Sequence, residues 1–293
     1  MQRLYKPNRV VELQNKYGFR FTKSLGQNFL IDGNIVRNIA DCAEISENDN
    51  IIEVGPGIGT LTEELALRAK KVLAIEIDES LKDLLKESLP YENVKVIFSD
   101  VLKVDLKQLV KENFNDEPFK LVANLPYYIT TPIISKFIEA DLNLESITIM
   151  MQKEVAKRLA AEPSTKDYGS LSVFVQFYTD VKYMFTVSKS SFMPRPKIDS
   201  AVVNLKIKDD LVKVDQEKFF KIVKACFSKR RKTIANALTS YGFDLDKSQI
   251  LKALELSNID PKRRGETLTI DEFVVLTINF PEIGGWNDKK VRR

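Results

Sequence analysis

Short apolar runs alternate with amphipathic stretches from residue 50 to residue 151, and this alternation restricts the fold more than any other feature of the chain. Strands that are buried on both faces of a parallel sheet read as nearly continuous apolar runs, as Ile51-Ile52 and 72–75 do. Strand–helix alternation at this spacing is typical of a parallel sheet with helices on both faces. The pattern therefore predicts an α/β fold with a doubly wound, Rossmann-like sheet.

The predicted elements of this region follow from the same pattern. Strands are predicted at 50–54, 71–76, 94–98, 119–123 and 146–151, with helices at 60–69, 79–89, 105–112 and 131–139. A helix is predicted at 152–161, and strands at 181–187 and 200–207 form an antiparallel pair that ends the sheet. Periodicity does not distinguish a strand from a helix at 171–177.

The chain is predicted to contain two domains, residues 1–207 with a basic N-terminal segment at 1–30, and a helical domain at 208–293. Within the second domain, Phe219, Val223 and Cys226 share one helical face. Thr269 and Glu272 have the spacing of a capping box at the start of the last helix. Its helices are predicted at 217–227, 234–238, 247–254 and 270–278.

The net charge of +4 is unevenly distributed. Residues 1–30 contain six basic and one acidic side chain, and residues 208–293 contain eighteen basic and thirteen acidic ones. Each end therefore carries +5, which leaves −6 for the residues between them. Two basic ends indicate a polyanion bound by the flanks, with 229–232 and 262–264 as candidate phosphate contacts. Solvated surface lysine and arginine explain the same charge equally well.

Histidine is absent, and Cys42 and Cys226 are the only cysteines. This composition excludes Ser–His and Cys–His nucleophilic catalysis and most zinc sites. No apolar run approaches the about 20 residues that span a bilayer, and the N-terminus lacks the apolar segment of a secretory signal. We therefore expect a cytoplasmic protein, without metal or membrane, whose chemistry depends on carboxylates, amides, backbone groups and a cofactor.

The ends of three successive predicted strands carry residues suited to an adenosyl ligand. Gly55, Gly57 and Gly59 follow the first strand in a G-x-G-x-G spacing, which differs from the dinucleotide pattern and is weak evidence alone. Glu76 ends the second strand, where a carboxylate can accept ribose hydroxyls, and Asp100 follows the third. Each acid alone is more often a loop cap. Together they predict a ligand at the carboxyl ends of the strands.

The tetrapeptide Asn124-Leu125-Pro126-Tyr127 follows the fourth predicted strand. The Asn124 side-chain oxygen and the Leu125 carbonyl are acceptors for an exocyclic amine such as adenine N6. Tyr127 can stack on an extruded base. NAD-dependent dehydrogenases give no reason for this tetrapeptide, whereas methyl transfer from S-adenosylmethionine needs chiefly the in-line placement of a nucleophile. The two acceptors would also stabilise the positive charge that develops on the nitrogen.

Six segments of the chain resemble the rRNA adenine N6,N6-dimethyltransferase family, and most closely its bacterial small-subunit branch. They are KSLGQNFLID at 23–32, EVGPGIG at 53–59, EID at 76–78, SDV at 99–101, NLPY at 124–127 and FMPRPKIDS at 192–200. The resemblance implies a class I methyltransferase sheet and a C-terminal helical domain that binds rRNA. It implies S-adenosylmethionine contacts at Asn28, Leu30, Gly55, Glu76, Asp100 and Asn124, and a catalytic set of Asn124, Leu125, Tyr127 and Phe192.

The resemblance also implies that Phe192 lies opposite Tyr127 in an aromatic sandwich around the target base. From the residues alone, an aromatic side chain before Pro194-x-Pro196 is more often a loop anchor in the core. The implied reaction is dimethylation of N6 of two adjacent adenosines in a hairpin loop near the 3′ end of small-subunit (16S) rRNA, with a role in small-subunit biogenesis. The implied partners are this RNA and the pre-30S particle.

Two other functions stay open from the sequence. The first is the sister branch of the family, which dimethylates large-subunit (23S) rRNA and confers macrolide-type resistance. The second is a non-catalytic ribosome assembly factor, although every expected catalytic position is filled. A monomer is expected because no exposed apolar stripe is left over.

Overall fold

The structure is a computed structural model of the 293-residue chain, and it describes residues 3–19 and 27–283. The chain divides into two compact units. The first ends at Ala156 and includes Asp180–Ile207, and the second contains Lys157–Thr179 and the residues from Lys208 onward. One boundary coincides with the predicted division after residue 207. Residues 157–179, which the prediction placed in the first domain, belong to the second unit.

The described helices and the described strands are each numbered in chain order, and helices and strands alternate along most of the first unit. Helices α1 to α6 are Pro7–Tyr17, Gly33–Cys42, Thr60–Ala66, Lys82–Ser88, Leu106–Phe114 and Thr130–Glu139. Strands β1 to β6 are Phe29–Leu30, Asn50–Val54, Lys71–Glu76, Val94–Phe98, Phe119–Asn124 and Leu144–Gln152. They are followed by α7 (Lys153–Leu159), α8 (Ser170–Tyr178), β7 (Thr179–Val187), β8 (Phe192–Met193) and β9 (Ser200–Ile207). The last helices, α9 to α12, are Gln216–Phe227, Ile234–Thr239, Lys247–Leu256 and Ile270–Asn279.

Seven of the described strands form one sheet in the order β4-β3-β2-β5-β6-β9-β7. Strands β2 to β6 are parallel, and β9 pairs antiparallel with β6. All five residues of β2 are buried, which explains its nearly continuous apolar sequence. The chain leaves β2 toward one side of the sheet and returns to its other side at β5, which creates a topological switch point. The prediction of a doubly wound, Rossmann-like α/β sheet is confirmed.

The N-terminal helices α1 and α2 lie outside the predicted elements, although both carry local sequence signals. Pro7 opens α1, and Gly18 ends it with φ +63. The Asp32 carboxylate caps α2 by accepting the Asn34 N–H at 3.0 Å. Two fully buried residues of α1, Val10 and Leu13, belong to a cluster that packs against the sheet region. No helix among the described residues has the length and apolarity needed to cross a membrane.

The second unit has its own apolar core. Val173 and Phe177 of α8 lie in this core with Phe219 of α9, and the Phe177 and Phe219 ring centroids are 4.8 Å apart. Full burial of a phenylalanine side chain contributes about 1.5–3 kcal/mol, so this packing holds α8 in the second unit. It also settles the ambiguous segment at 171–177 as a helix. The predicted capping box of Thr269 and Glu272 begins α12.

Candidate active site

A cleft lies at the carboxyl ends of β2 to β5, at the switch point of the sheet. It contains about 1220 Å³ of space between protein atoms, part of it open to solvent. Small-molecule sites typically measure about 300–1,000 Å³, so the cleft has room for a ligand of that class and for an approaching base. The predicted site residues that line it are Asn28, Leu30, Gly55, Glu76, Asp100, Asn124, Leu125 and Tyr127.

The glycine-rich turn after β2 is held by a carboxylate from the next strand. The Gly57 N–H donates to Glu76 Oε2 at 3.0 Å. Gly57 has φ +59, and a Cβ atom at this position would lie 2.6 Å from the Phe29 ring. A side chain at position 57 would therefore be strained by both the backbone and the ring. The turn therefore packs closely against Phe29, and Gly55, Pro56 and Gly57 line the cleft.

The Glu76 carboxylate is 4% exposed and accepts backbone hydrogen bonds with both oxygens. Its Oε1 accepts the N–H groups of Ile77 and Asp78, each at 2.9 Å. Burial raises the pKa of Glu76, and the bonds from Asp78, Gly57 and Ile77 oppose that rise. A carboxylate offers about four acceptor positions, so three bonds leave one for a ligand hydroxyl. Glu76 thus shapes the turn and keeps acceptor capacity in the cleft.

Asp100 caps a turn with one carboxylate oxygen, and the residue lines the cleft. Its Oδ1 accepts the Leu102 N–H at 3.0 Å, which caps the turn after β4. Its Oδ2 lies 3.6 Å from the largely exposed Lys103 ammonium group. This second oxygen retains acceptor capacity beside the cleft.

The Asn124 side chain is oriented by a contact across the cleft. Its Nδ2 donates to the Asn28 carbonyl at 3.2 Å. Since the nitrogen is used as a donor, Oδ1 is the acceptor that faces away from that bond. The Leu125 N–H donates to the Met150 carbonyl at 3.2 Å, and the Leu125 carbonyl follows directly on Asn124. Asn124 Oδ1 and the Leu125 carbonyl are thus neighbouring acceptor atoms at the end of β5, and their role toward an amine stays a prediction.

Tyr127 is fixed at its hydroxyl end. The Tyr127 hydroxyl and Ser200 Oγ are 2.8 Å apart, and Ser200 is fully buried at the start of β9. Burial raises the pKa of Tyr127, so the hydroxyl stays neutral at physiological pH. Ser200, which ends the motif at 192–200, was not among the predicted site residues. Tyr128 also lines the cleft and is 58% exposed.

The Phe192 side chain is buried in the core of the first unit. This side chain is 4% exposed and belongs to an apolar cluster that includes Leu30, Val36 and Ile39. Strand β8 pairs antiparallel with β1, and this register sets Phe192 beside Leu30. Phe192 is not among the residues that line the cleft, and its place opposite Tyr127 around a target base stays a prediction. Its packing is that of a loop anchor, which supports the Leu30 wall of the cleft.

Glu53 also lines the cleft. It begins the motif at 53–59, but no role was predicted for it. It lies within the buried strand β2 and is 1% exposed. Burial, reinforced by the charge of Glu76 and opposed by the Thr62 hydroxyl, raises the pKa of Glu53 to about 8. A carboxyl inside an apolar strand is the sequence signal that identifies it.

The two basic runs of the second unit differ in the exposure of their side chains. All four residues at 229–232 are exposed. In the run 262–264, Arg263 forms an ion pair with Glu272 and donates to the Thr267 carbonyl at 2.6 Å. Arg263 is therefore committed to the fold, whereas Lys262 and Arg264 are exposed. Of the motif at 23–32, residues 23–26 lie outside the described residues.

The fold and the cleft define the class of protein. A doubly wound sheet with a glycine turn, two carboxylates and an Asn-Leu-Pro-Tyr corner at its switch point is that of a class I methyltransferase. The chain belongs to the ribosomal RNA adenine dimethylase family, whose model matches residues 18–275. The methyl donor of this family is S-adenosylmethionine.

Curated relatives and solved structures resemble the chain over nearly its whole length. Ribosomal RNA small subunit methyltransferase A of Alkaliphilus oremlandii is 54% identical over 283 residues, covering 96% of this chain and 99% of the relative. The protein of the same name from Clostridioides difficile is 52% identical over 281 residues, covering 94% and 96%. A dimethyladenosine transferase from Plasmodium falciparum superposes with a TM-score of 0.73 at 27% identity, covering 85% and 95%. The 23S rRNA methyltransferase ErmE gives 0.67 at 27% identity, covering 86% and 99%.

Proposed function

We propose that this enzyme transfers methyl groups from S-adenosylmethionine to N6 of two adjacent adenosines in a hairpin loop near the 3′ end of small-subunit rRNA. The observation that carries the proposal is the pair of acceptors at Asn124 and Leu125, fixed by the bond from Asn124 to the Asn28 carbonyl. Relatives at 52–54% identity are named for the small subunit, which supports this substrate over large-subunit rRNA.

The cleft fits an adenosyl cofactor. Glu76 has an acceptor position for a ribose hydroxyl, and Asp100 Oδ2 can accept from the adenine amino group. Gly55 brings the backbone close to the ligand, while Asn28 and Leu30 form the opposite wall. S-adenosylmethionine supplies an electrophilic methyl group when it is bound there.

The residues of the corner orient the target amine. Asn124 Oδ1 and the Leu125 carbonyl accept the two N6 hydrogens, which favours a pyramidal nitrogen and stabilises its developing positive charge. For the second methylation they share the one remaining hydrogen. Tyr127, held by Ser200, stacks on the extruded base. The proton leaves to water afterwards, so the site needs no strong base.

The exposed basic residues of the second unit bind rRNA phosphates in this proposal. Phosphate contacts supply affinity, while the stacked base in the cleft supplies the site of reaction. The enzyme acts in the cytoplasm as a monomer on the pre-30S particle. Methylation there gives it a role in small-subunit biogenesis.

The test is methyl transfer from labelled S-adenosylmethionine to undermethylated small-subunit particles, beside protein-free large-subunit rRNA. The products are digested to nucleosides and separated. Labelled N6,N6-dimethyladenosine from the particles alone is the expected result. Label in large-subunit RNA alone would make this a resistance enzyme. Particle binding without label in either RNA would make it a non-catalytic assembly factor.

A further inference from the structure

The charges around the cleft are of one sign. The carboxyl groups of Glu53, Glu76 and Asp100 line it, and no lysine or arginine among the described residues does so. These groups do not form a metal site, since no cluster of three acidic or cysteine side chains within residues 3–19 and 27–283 could hold an ion. Such a cleft favours an organic cation over a neutral molecule of the same shape.

Glu53 differs from the other two carboxyl groups because one of its oxygens, Oε2, is buried without a hydrogen-bond partner among the described residues. The buried Thr60 hydroxyl, at the start of α3 and also in the cleft lining, likewise has none there. A buried, unpartnered carboxylate is costly, so the group is neutral until a positive charge comes close.

We propose that Glu53 senses the charge of the ligand: it loses its proton when cationic S-adenosylmethionine occupies the cleft and regains one when neutral S-adenosylhomocysteine remains. The inference rests on the assignment of this cleft to the cofactor. It makes the site prefer methyl donor over spent product by charge. Two methylations of one nitrogen require an exchange of product for donor, which this preference would promote.

The proton balance is simple. When the cation binds, the O–H bond of Glu53 breaks and its proton goes to solvent. After methyl transfer the positive charge is on the substrate nitrogen, and it leaves as a proton. Glu53 then takes up one proton from solvent, so each methyl group transferred releases one proton overall.

Other titratable groups around Glu53 do not replace it in this role. Burial and the Glu76 charge raise the pKa of Glu53 to about 8, so this carboxyl is mostly protonated at pH 7. Glu63 and Glu64 on α3 are ion-paired with Arg3. The groups on the neighbouring elements are Glu76 of β3, Asp100 after β4, Tyr127 and Tyr128 after β5, and Glu63 and Glu64 of α3.

The experiment is titration calorimetry of the full chain with two ligands that cannot donate a methyl group. Sinefungin carries an amine, positively charged at pH 7, where the donor has its sulfonium, and S-adenosylhomocysteine has no charge at that position. Each binding is measured at pH 7 in phosphate and in Tris, whose ionisation enthalpies differ. Sinefungin is expected to release up to about one proton and to bind up to about tenfold more tightly per pH unit from pH 6 to 8. S-adenosylhomocysteine should show neither effect.

The variant Glu53→Gln should bind sinefungin with no proton release and a flat pH profile. If wild type and variant release the same number of protons, or if both ligands release equal numbers from wild type, the inference is wrong. The wild-type comparison alone decides the matter if the variant does not fold. Failure of both ligands to bind would instead overturn the assignment of the cleft, and the inference with it.

Discussion

The side-chain amide of Asn124 donates to the backbone carbonyl of Asn28, and this 3.2 Å bond joins segments that lie 96 residues apart. It links the corner after β5 to the segment that leads into β1. The bond fixes which end of the amide is the acceptor. Removing the side chain therefore removes an acceptor and a contact between two walls of the cleft.

Asn124→Ala is expected to lower the single-turnover methylation rate at saturating cofactor by about 10²–10³-fold, the usual cost of losing one aligned polar group at a developing charge. Binding of small-subunit particles should survive. The matched control is Asn143→Ala, whose amide donates to the Asp116 carbonyl outside the cleft lining and whose loss should leave the rate unchanged. Persistent methylation by Asn124→Ala would contradict the proposed pocket.

Gly57→Ala and Gly18→Ala form a matched pair, because their φ angles are +59 and +63. A Cβ atom at Gly18 meets nothing within 4 Å, whereas one at Gly57 lies 2.6 Å from the Phe29 ring. Overpacking costs about 1–3 kcal/mol beyond the backbone strain that both variants share. Urea unfolding should therefore show the larger loss for Gly57→Ala, with weakened cofactor binding in calorimetry. Equal losses would show that Phe29 yields without cost.

Glu53 should make stability depend on pH. Its pKa is raised from 4.5 to about 8 on folding, so the folded state keeps a proton that the unfolded state has lost in this window. The stability present below pH 4.5 is therefore lost as pH rises toward 8. The free energy of unfolding of Glu53→Gln, relative to wild type, should increase from pH 5 to 8 and then level off.

The control for that series is Glu117→Gln. Bonds from Lys70 and Asn50 hold the pKa of Glu117 below its usual value, so its difference from wild type should be flat above pH 5. Chemical denaturation at one-unit pH steps measures both series. A flat Glu53→Gln series would mean that Glu53 is ionised in the folded protein.

Tyr127 should act through its ring more than through its hydroxyl. Tyr127→Phe keeps the ring and loses only the bond to Ser200, so we expect less than about fivefold change in kcat/KM. Tyr127→Ala removes the stacking surface, which is worth about 1–3 kcal/mol per base, or about 5–150-fold in kcat/KM for the particle. Equal effects of the two variants would contradict base stacking.

The basic runs of the second unit should separate RNA binding from folding. Arg231→Ala, at an exposed position, should weaken particle binding and reduce its salt dependence without changing stability. Arg263→Ala breaks the bonds to Glu272 and Thr267 and should destabilise the chain by about 1–3 kcal/mol. Filter binding at several salt concentrations and thermal unfolding measure the two effects. Loss of stability in Arg231→Ala, together with weaker particle binding and unchanged stability in Arg263→Ala, would contradict these roles.

The buried strands were predictable because burial on both faces leaves a direct mark on the sequence. Strands β2, β3 and β4 have the predicted bounds, and β5 extends one residue further to include Asn124. The polar residues that follow these strands could be predicted to lie close together, because parallel strands end at one edge of the sheet. Helix α8 was ambiguous because its sequence, SLSVFVQFY, has too few polar positions to show a period.

Contacts between residues distant in the chain left no comparable pattern in the sequence, so they could not be predicted from it. The orientation of Phe192 depends on the pairing of β8 with β1, two strands of two residues each. The acceptor bonds of Glu76 depend on the path of the turn around Gly57. In both cases the decisive partner is distant in sequence or set by backbone geometry, so residue type and spacing could not identify it.

The second unit is assembled from two stretches of chain, with β7 to β9 of the first unit between them. When α8 has been synthesised, the helices that complete its core, α9 to α12, have not yet been translated. Val173 and Phe177 can be buried in this core only after α9 has been synthesised. A truncation after residue 207 would leave these side chains without partners, and a fragment beginning at 208 would lack them. No single cut in the chain therefore separates the two units, and neither unit can be exchanged as one continuous segment.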